Sequence, residues 1–200
     1  RSYVSMKLVF DGNALDFRIG IDDGTDTLEI GKGNAHGTTG HVTIDTNGIM
    51  TKPLQPSFHA YIGTAQVNMA TDSLITMNYD TEVWDLNADF DTSNKTFTAP
   101  VTGKYMFNCM IRIESIDSAA NNHRMNLVTS NCTYRAMNDI KSWGINDPDF
   151  MQWQINAIVD MDASDTALVS FFHSGGAAQA DSGAYDRTNQ DGWFCAYLLT

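Results

Sequence analysis

Short runs of alternating apolar and polar residues recur along the chain, as in Leu15-Asp16-Phe17-Arg18-Ile19-Gly20-Ile21, Val42-Thr43-Ile44 and Tyr105-Met106-Phe107-Asn108-Cys109-Met110-Ile111. A period of two places successive side chains on opposite faces of a strand, and the 3.6-residue period of an amphipathic helix is nowhere sustained. The pattern predicts a nearly all-β protein. From Pro53 onward the runs come at sandwich spacing, near residues 58–62, 73–77, 82–84, 97, 104–113, 124–129, 153–159, 167–173 and 193–199. Turn signals separate them, and such a series is what a two-sheet jelly roll needs. A parallel α/β layout has no helices to draw on.

Residues 1–52 have a different texture. Apolar positions are sparse and the turns are rich in Gly and Asp, as in Asp22-Asp23-Gly24-Thr25-Asp26 and Gly31-Lys32-Gly33-Asn34. Short one-sided strands of this kind cannot bury themselves alone. Either they pack on the main domain or three copies wrap round a common axis, as a β-rich shaft would. Thr46-Asn47-Gly48-Ile49-Met50-Thr51-Lys52-Pro53 closes this texture with an Asn-Gly turn and a Pro, which sets the predicted boundary: a shaft over 1–52 and a head over 53–200.

Composition sharpens the picture. The 42% hydrophobic and 18% charged content is enough to build a core and too poor in charge for disorder. Twelve Lys and Arg against 24 Asp and Glu leave a net charge of −12, with no basic cluster, which argues against nucleic acid and against anionic lipid. No apolar run is long enough for a membrane-spanning helix, and Arg1-Ser2-Tyr3-Val4-Ser5 carries neither an initiator Met nor a signal-peptide core, so a fragment of something longer is expected. Cys109, Cys132 and Cys195 are odd in number and widely spaced, the pattern of small strand hydrophobes more than of a disulfide framework or zinc site.

The run from Tyr79 to Phe107 resembles the signature of the complement C1q globular head, a branch of the tumour-necrosis-factor-like jelly rolls. The places of that signature hold Tyr79, Asp85, Phe90, Phe97, Gly103, Tyr105 and Phe107, with Ala99-Pro100 where the family has its Ala-Pro pair. Phe194-Cys195-Ala196-Tyr197-Leu198-Leu199 resembles the closing strand, and residues 159–167 the turn before the penultimate one. Departures are Tyr79 for Phe, Cys109 for an aromatic, Ser164 where Gly is usual before Asp165, and Ala196 for a closing-strand Gly. The resemblance implies an all-β jelly-roll sandwich and a homotrimer, whose interface and core would draw on Phe58, Tyr61, Tyr105, Phe107, Phe194 and Tyr197. The signature speaks for fold alone, because jelly rolls host many activities. No collagen-like repeat precedes the head, and the junction 46–53 is similar to the boundary between shaft and tip in bacteriophage tail fibres.

The Tyr134 to Trp153 segment interleaves Trp143, Phe150 and Trp153 with Asp139, Lys141, Asn146, Asp147 and Asp149, a mixture suited to stacking on and orienting a sugar or peptide. Filling core is the competing role, favoured for Trp153, while Trp143 is expected exposed. A second long loop, 182–187, brings Tyr185, Asp186 and Arg187. Ligand-binding candidates are therefore Trp143, Asp147, Asp149, Tyr185, Asp186 and Arg187. Acidic groups at Asp85/Asp89/Asp91, Asp160/Asp162/Asp165 and 22–26 could offer hard oxygen ligands to Ca2+, and some members of the resembled family bind calcium near the trimer axis. None follows the order of a calcium loop, and solvated turn carboxylates are the favoured reading, so no metal residue is assigned. No serine lies in a Gly-x-Ser-x-Gly elbow and no histidine in a triad or metal pattern, so no catalytic residue is expected. Asn94-Lys95-Thr96 and Asn131-Cys132-Thr133 fit the N-glycosylation pattern, of consequence only in a secretory pathway.

The expected function is a non-enzymatic, trimeric receptor-binding head of a virion fibre. It would attach to a host surface glycan or protein, with other tail or capsid proteins as partners and an extracellular location. The alternatives are a structural decoration or fibre cap, a secreted recognition protein, and a polysaccharide-degrading enzyme.

Overall fold

The structure is a computed structural model that describes residues 7–37 and 39–200, so Arg1-Ser2-Tyr3-Val4-Ser5 and the expectation attached to them lie outside it. The chain divides into two compact units, residues 1–55 and 56–200. Its strands pair antiparallel throughout, and the only helix among the described residues is one 3-10 turn. No helix is long and apolar enough to cross a membrane among these residues.

The first unit is a five-stranded meander of β1 (Lys7–Phe10), β2 (Phe17–Asp22), β3 (Thr27–Lys32), β4 (Gly40–Ile44) and β5 (Met50–Thr51), each strand paired to the next. The register aligns its apolar residues in rows across the sheet. One row runs Leu8, Ile19, Ile30, Val42; a second runs Ile21, Leu28, Ile44, Met50; Phe10 and Phe17 face each other at a corner. The opposite face holds a charged core. Arg18, fully buried, donates to Glu29 Oε2 at 2.9 Å and to the carbonyls of Lys32 and Gly33, while His36 Nδ1 and the Gly37 N–H reach the same carboxylate oxygen at 2.9 and 3.2 Å. Burial alone would raise the Glu29 pKa, but these hydrogen bonds hold it below the usual carboxylate range. Gly31 is required here because a Cβ would stand 2.9 Å from the Arg18 guanidinium and 2.4 Å from the Thr39 carbonyl.

The second unit is a sandwich. One sheet has the order β14 (Phe150–Met161), β11 (Gly103–Glu114), β17 (Trp193–Leu198), β6 (Ser57–Tyr61), β8 (Thr81–Asp85), with β16 (Asp181–Ser182) against the end of β11. The other has β13 (Thr133–Asn138), β12 (Asn122–Thr129), β15 (Thr166–Ser174), β10 (Thr96–Thr98), β9 (Phe90–Asp91), with β7 (Ile75–Thr76) on β15. Between them, Phe58 stacks on Phe90 and Phe97 at 4.7 and 5.1 Å and meets Phe194 edge-on at 4.9 Å, and Phe107 stacks on Phe194 at 5.9 Å. Tyr79 is buried with its hydroxyl donating to the Met110 carbonyl at 2.9 Å.

β13 is the longest strand that the pattern does not announce. It lies at the sheet edge with Thr133, Arg135 and Met137 exposed, so the segment taken as a loop from Tyr134 begins only at Asp139. Gly103 opens β11 directly after the bend at 101–102. It pairs with Met161, and a Cβ would stand 2.4 Å from the Thr200 carbonyl and 2.7 Å from Leu198, so the glycine also admits the C-terminal strand. Ala196, in place of a glycine, fits buried between its register partners Phe107 and Phe58.

Ser164 stands at φ 77° in the tight turn after β14, a conformation that costs a β-carbon-bearing residue about 1–2 kcal/mol. Set against the greater freedom glycine gives the unfolded chain, Ser164→Gly should raise the free energy of unfolding by about 0.5–1 kcal/mol, read by chemical denaturation. A second expectation concerns His123, fully buried beside His173 and Trp153. Burial, and then the nearby His173, lower its pKa in the fold; Asp117 and Asp139 oppose this more weakly. The unfolded chain therefore binds this proton more readily. The associated stability is complete above the unfolded pKa near 6.5 and is lost as pH falls through that value toward the folded one. The denaturation midpoint should drop between pH 7.5 and 5.5, and His123→Phe should flatten part of the drop, with half-buried His59, shifted in the same direction, supplying another part.

Candidate functional site

The two ends of the sandwich differ in kind. Pro56, the first residue of the second unit, accepts a hydrogen bond from Leu198 N at 3.0 Å, beside Gly103 and Met161 where β11 and β14 meet. The chain turns tightly there. At the far end, where Ile113 pairs with Met151 and Ser182, the connections are long: residues 115–121, 139–149 and 175–192 all lie there.

Side chains tie these loops to one another. Asp147 Oδ1 accepts from the Ser118 N–H and hydroxyl at 2.9 and 2.7 Å, and Asp147 Oδ2 from Gln179 at 3.4 Å. The Ser118 bonds hold the Asp147 carboxyl below its usual pKa. Asp117 accepts from Ala177 N at 2.5 Å and Ala119 N at 2.7 Å. Gly176, at φ 72°, is needed beneath it, since a Cβ would stand 2.5 Å from that carboxylate. Lys141 donates to Asn121 at 3.0 Å, Ser115 N to the Asp149 carbonyl at 2.9 Å, and Arg112 pairs with Glu114 and Asp191 at 2.8 and 2.5 Å.

On this braced end Asp139 caps the 3-10 turn Ile140–Trp143, accepting from Ser142 N at 3.3 Å, and Gly144 ends it in the left-handed region. Ile140 anchors the turn in the core, which leaves Trp143 projecting, 51% exposed. Ile145 and Phe150 are exposed as well, the latter with the Arg112 guanidinium 4.9 Å from its ring centre. Beside the turn lies a cleft of about 370 Å³ lined by Asn121, Asn122, Met137, Asn138 and Asp139. The amides and carboxylate offer both donors and acceptors to hydroxyl-bearing ligands, with an aromatic face near at hand in sequence.

Of the predicted ligand residues, Trp143, Asp147, Asp149, Asp186 and Arg187 are exposed. Trp153 is core and Phe150 is not. Tyr185 is half-buried over Gly183, with burial raising its pKa, and its N–H donates to the Ile62 carbonyl at 2.8 Å. The Asp186 carboxylate closes its own turn, accepting from Thr188 and Asn189. The sequence does not single out Asn121, Asn122 or Asn138, because amides near strand ends read first as turn formers; their signal is the recurrence of Asn at the two ends of a hairpin that the register brings side by side.

The six aromatics named for interface and core also divide. Phe58, Tyr105, Phe107 and Phe194 are fully buried in the protomer, whereas Tyr61 and Tyr197 lie on the outer face of their sheet. That face has a band without charge. Ile158, Met106 and Tyr197 form one row across it. In the next, Asn108 donates to Asn156 and accepts from Nε1 of Trp193, which stands one row further on. Lys104 and Asp160 stand at one end of the band, and Arg112 and Glu114 at the other. Ile158 and Tyr197 are 59% and 50% exposed, and Trp84 adds a half-exposed ring at the β8 edge beside His59.

The proposed calcium carboxylates are engaged in turns. Asp85 accepts from the N–H groups of Asp89 and Phe90, Asp91 from Ser93, and Asp165 from Asp162 N and Asn131. Among the described residues no group of three or more His, Cys, Asp or Glu converges as a metal cluster. Burial raises the pKa of Cys195 to about 11 and raises that of Cys109 further, the state of inert packing thiols.

No family model and no curated protein matches the sequence. Solved structures do match the second unit's fold. The globular domain of zebrafish complement 1qA superposes with a TM-score of 0.51 at 15% identity, over 73% of this chain and 98% of that one. Murine APRIL superposes with a TM-score of 0.52 at 7% identity, over 72% and 99%. At such identities the likeness is one of fold, and the chain carries the jelly roll shared by the complement C1q head and the tumour-necrosis-factor-like ligands.

Proposed function

We propose that this chain is the tip of a bacteriophage tail fibre: a non-enzymatic homotrimer that holds a glycan or protein of the host surface in its far loops, outside the cell. The observation that supports this most is the separation of ends. The tight end receives the chain at Pro56, and the opposite end carries the braced loops, the exposed Trp143 and the amide-lined cleft. A fibre tip needs its ligand surface on the side away from its attachment. Three such sites on one trimer turn weak single contacts into firm attachment.

The charge-free outer band of β14, β11, β17 and β6 supports the trimer. Each chain carries a charge of −12, so copies repel one another unless they meet across a neutral face, and interface cores are depleted of charge in the same way. Light scattering on the unmutated protein should give about three times 22.1 kDa. Tyr197→Asp, on the outer face, should give a folded monomer, whereas Phe194→Asp, in the core, should abolish folding itself. A folded monomer of the unmutated protein at micromolar concentration would refute the trimer.

The attachment site is tested on a panel of immobilised bacterial surface polysaccharides and whole cells. The trimer should bind some of them without releasing reducing ends, and Trp143→Ala should weaken binding at least tenfold while shifting stability by less than about 0.5 kcal/mol. Release of reducing ends would point to an enzyme, and absence of any binding to a structural cap.

A further inference from the structure

We infer that the apolar face of the first unit's sheet is itself an interface between copies of this chain: three of these sheets pack face to face, their two apolar rows meeting in a common core. The inference rests on the trimer proposed above and goes beyond it, because it places a second assembly surface outside the jelly roll.

The first observation is an inversion of the usual order of inside and outside. Among the described residues of 1–55, the buried side chains of the sheet are Arg18 and Glu29, and no apolar residue is buried. Leu8, Phe10, Ile30 and Met50 are 57%, 55%, 42% and 59% exposed. Elsewhere a β-sheet puts its apolar face against a second layer, and here none is supplied by the unit itself.

The choice of face is also fixed. Residues 33–37 cross the polar face and close it, with His36 and the Gly37 N–H on Glu29 and the Gly33 carbonyl on Arg18. A one-residue slip of register would turn the apolar rows inward, but it would carry the Arg18–Glu29 pair out of this enclosure and part it from those hydrogen bonds. The ion pair therefore commits the apolar rows to the side that remains open.

The occupant follows from charge and size. Neither row contains a charged residue, and the one charged strand residue on this face, Lys32, stands beyond them beside Phe17. The rows themselves therefore offer nothing to recognise a charged partner, while a second copy presents the same rows and complements them by symmetry. Five strands at about 4.8 Å spacing, each of two to six residues, make a face roughly 19 Å wide and at most about 20 Å long. That is well under the ~800 Å² per partner at which a free-standing interface becomes stable. Joined to a trimerised head, three such sheets share an effective concentration in the millimolar range, and a small interface then suffices.

The test compares the full-length chain with Ile30→Lys, which sets a charge in the middle of one row, and with Asn47→Lys, which sets the same charge in an exposed turn. Light scattering reports the head, and amide hydrogen exchange over β2 and β3 reports the sheet. The expected result is a trimer for all three proteins, with exchange in β2 and β3 at least tenfold faster in Ile30→Lys only. A trimer whose exchange is unchanged by Ile30→Lys would show the face to be free and overturn the inference while leaving the head trimer standing. A monomer whose β2 and β3 amides are slow, and become fast in Ile30→Lys, would place the chain's own head on the face and overturn it as well. A monomer with fast exchange in every variant would remove the head trimer, and the inference with it.

Discussion

The head depends on a single knot of aromatic rings. Phe58 comes from its first strand and Phe194 from its last, and they meet at 4.9 Å across neighbouring strands of one sheet. Phe90 and Phe97, from the short β9–β10 hairpin, close on Phe58 from the opposite sheet. Residues separated by most of the unit's length are thus held in a few ångströms, and each ring contact adds to what simple burial provides. Everything outside it is secondary in this sense. The far loops can be long because the strands that launch them cannot shift, and the C-terminal strand can pass close to Gly103 because Phe194 pins it.

Much of this arrangement was open to inspection in the sequence. Period-two alternation marks the long strands β11, β14 and β15, and the resemblance carried by Tyr79 to Phe107 points to the jelly roll. Edge strand β13 escaped because half of its side chains face solvent, and nothing in Thr133-Tyr134-Arg135-Ala136-Met137-Asn138 alternates sharply enough to overcome its polar residues. The cleft escaped for a different reason. Asn121 and Asn138 lie far apart along the chain and come together only through a register that no local pattern encodes. Exposure was legible in part: Trp153 reads as core and Trp143 as surface, and both stand so, whereas the place of Phe150 on the outer side of the same strand as Trp153 is settled only by the pairing.

The two units also solve the burial of polar groups in opposite ways. In the head, fully buried polar side chains are few and uncharged or only weakly basic, such as Asn126, which donates to Ser170 at 3.1 Å between β12 and β15. In the first unit a full ion pair takes the enclosed position, held by backbone carbonyls and an N–H as well as by its partner. Such a pair contributes little net stability compared with apolar packing, but once formed it tolerates few alternatives in geometry. Local order in this sheet therefore rests on satisfied charges, which weaken differently from a hydrophobic core when salt or temperature changes.

Finally, the position of Pro56 has a mechanical meaning. A pull on the chain at Pro56, opposed by a grip on the far loops, runs lengthwise along β6 and its neighbour β17, whose rungs lie across the line of force. The load passes next to β11 and its twelve-residue ladder with β14, again sideways to the hydrogen bonds. Strands loaded along their length must break many rungs together, whereas a sheet peeled from its edge loses them one at a time. Tension in that direction is thus resisted by whole ladders at once, and a head held between its two ends yields as a block or not at all.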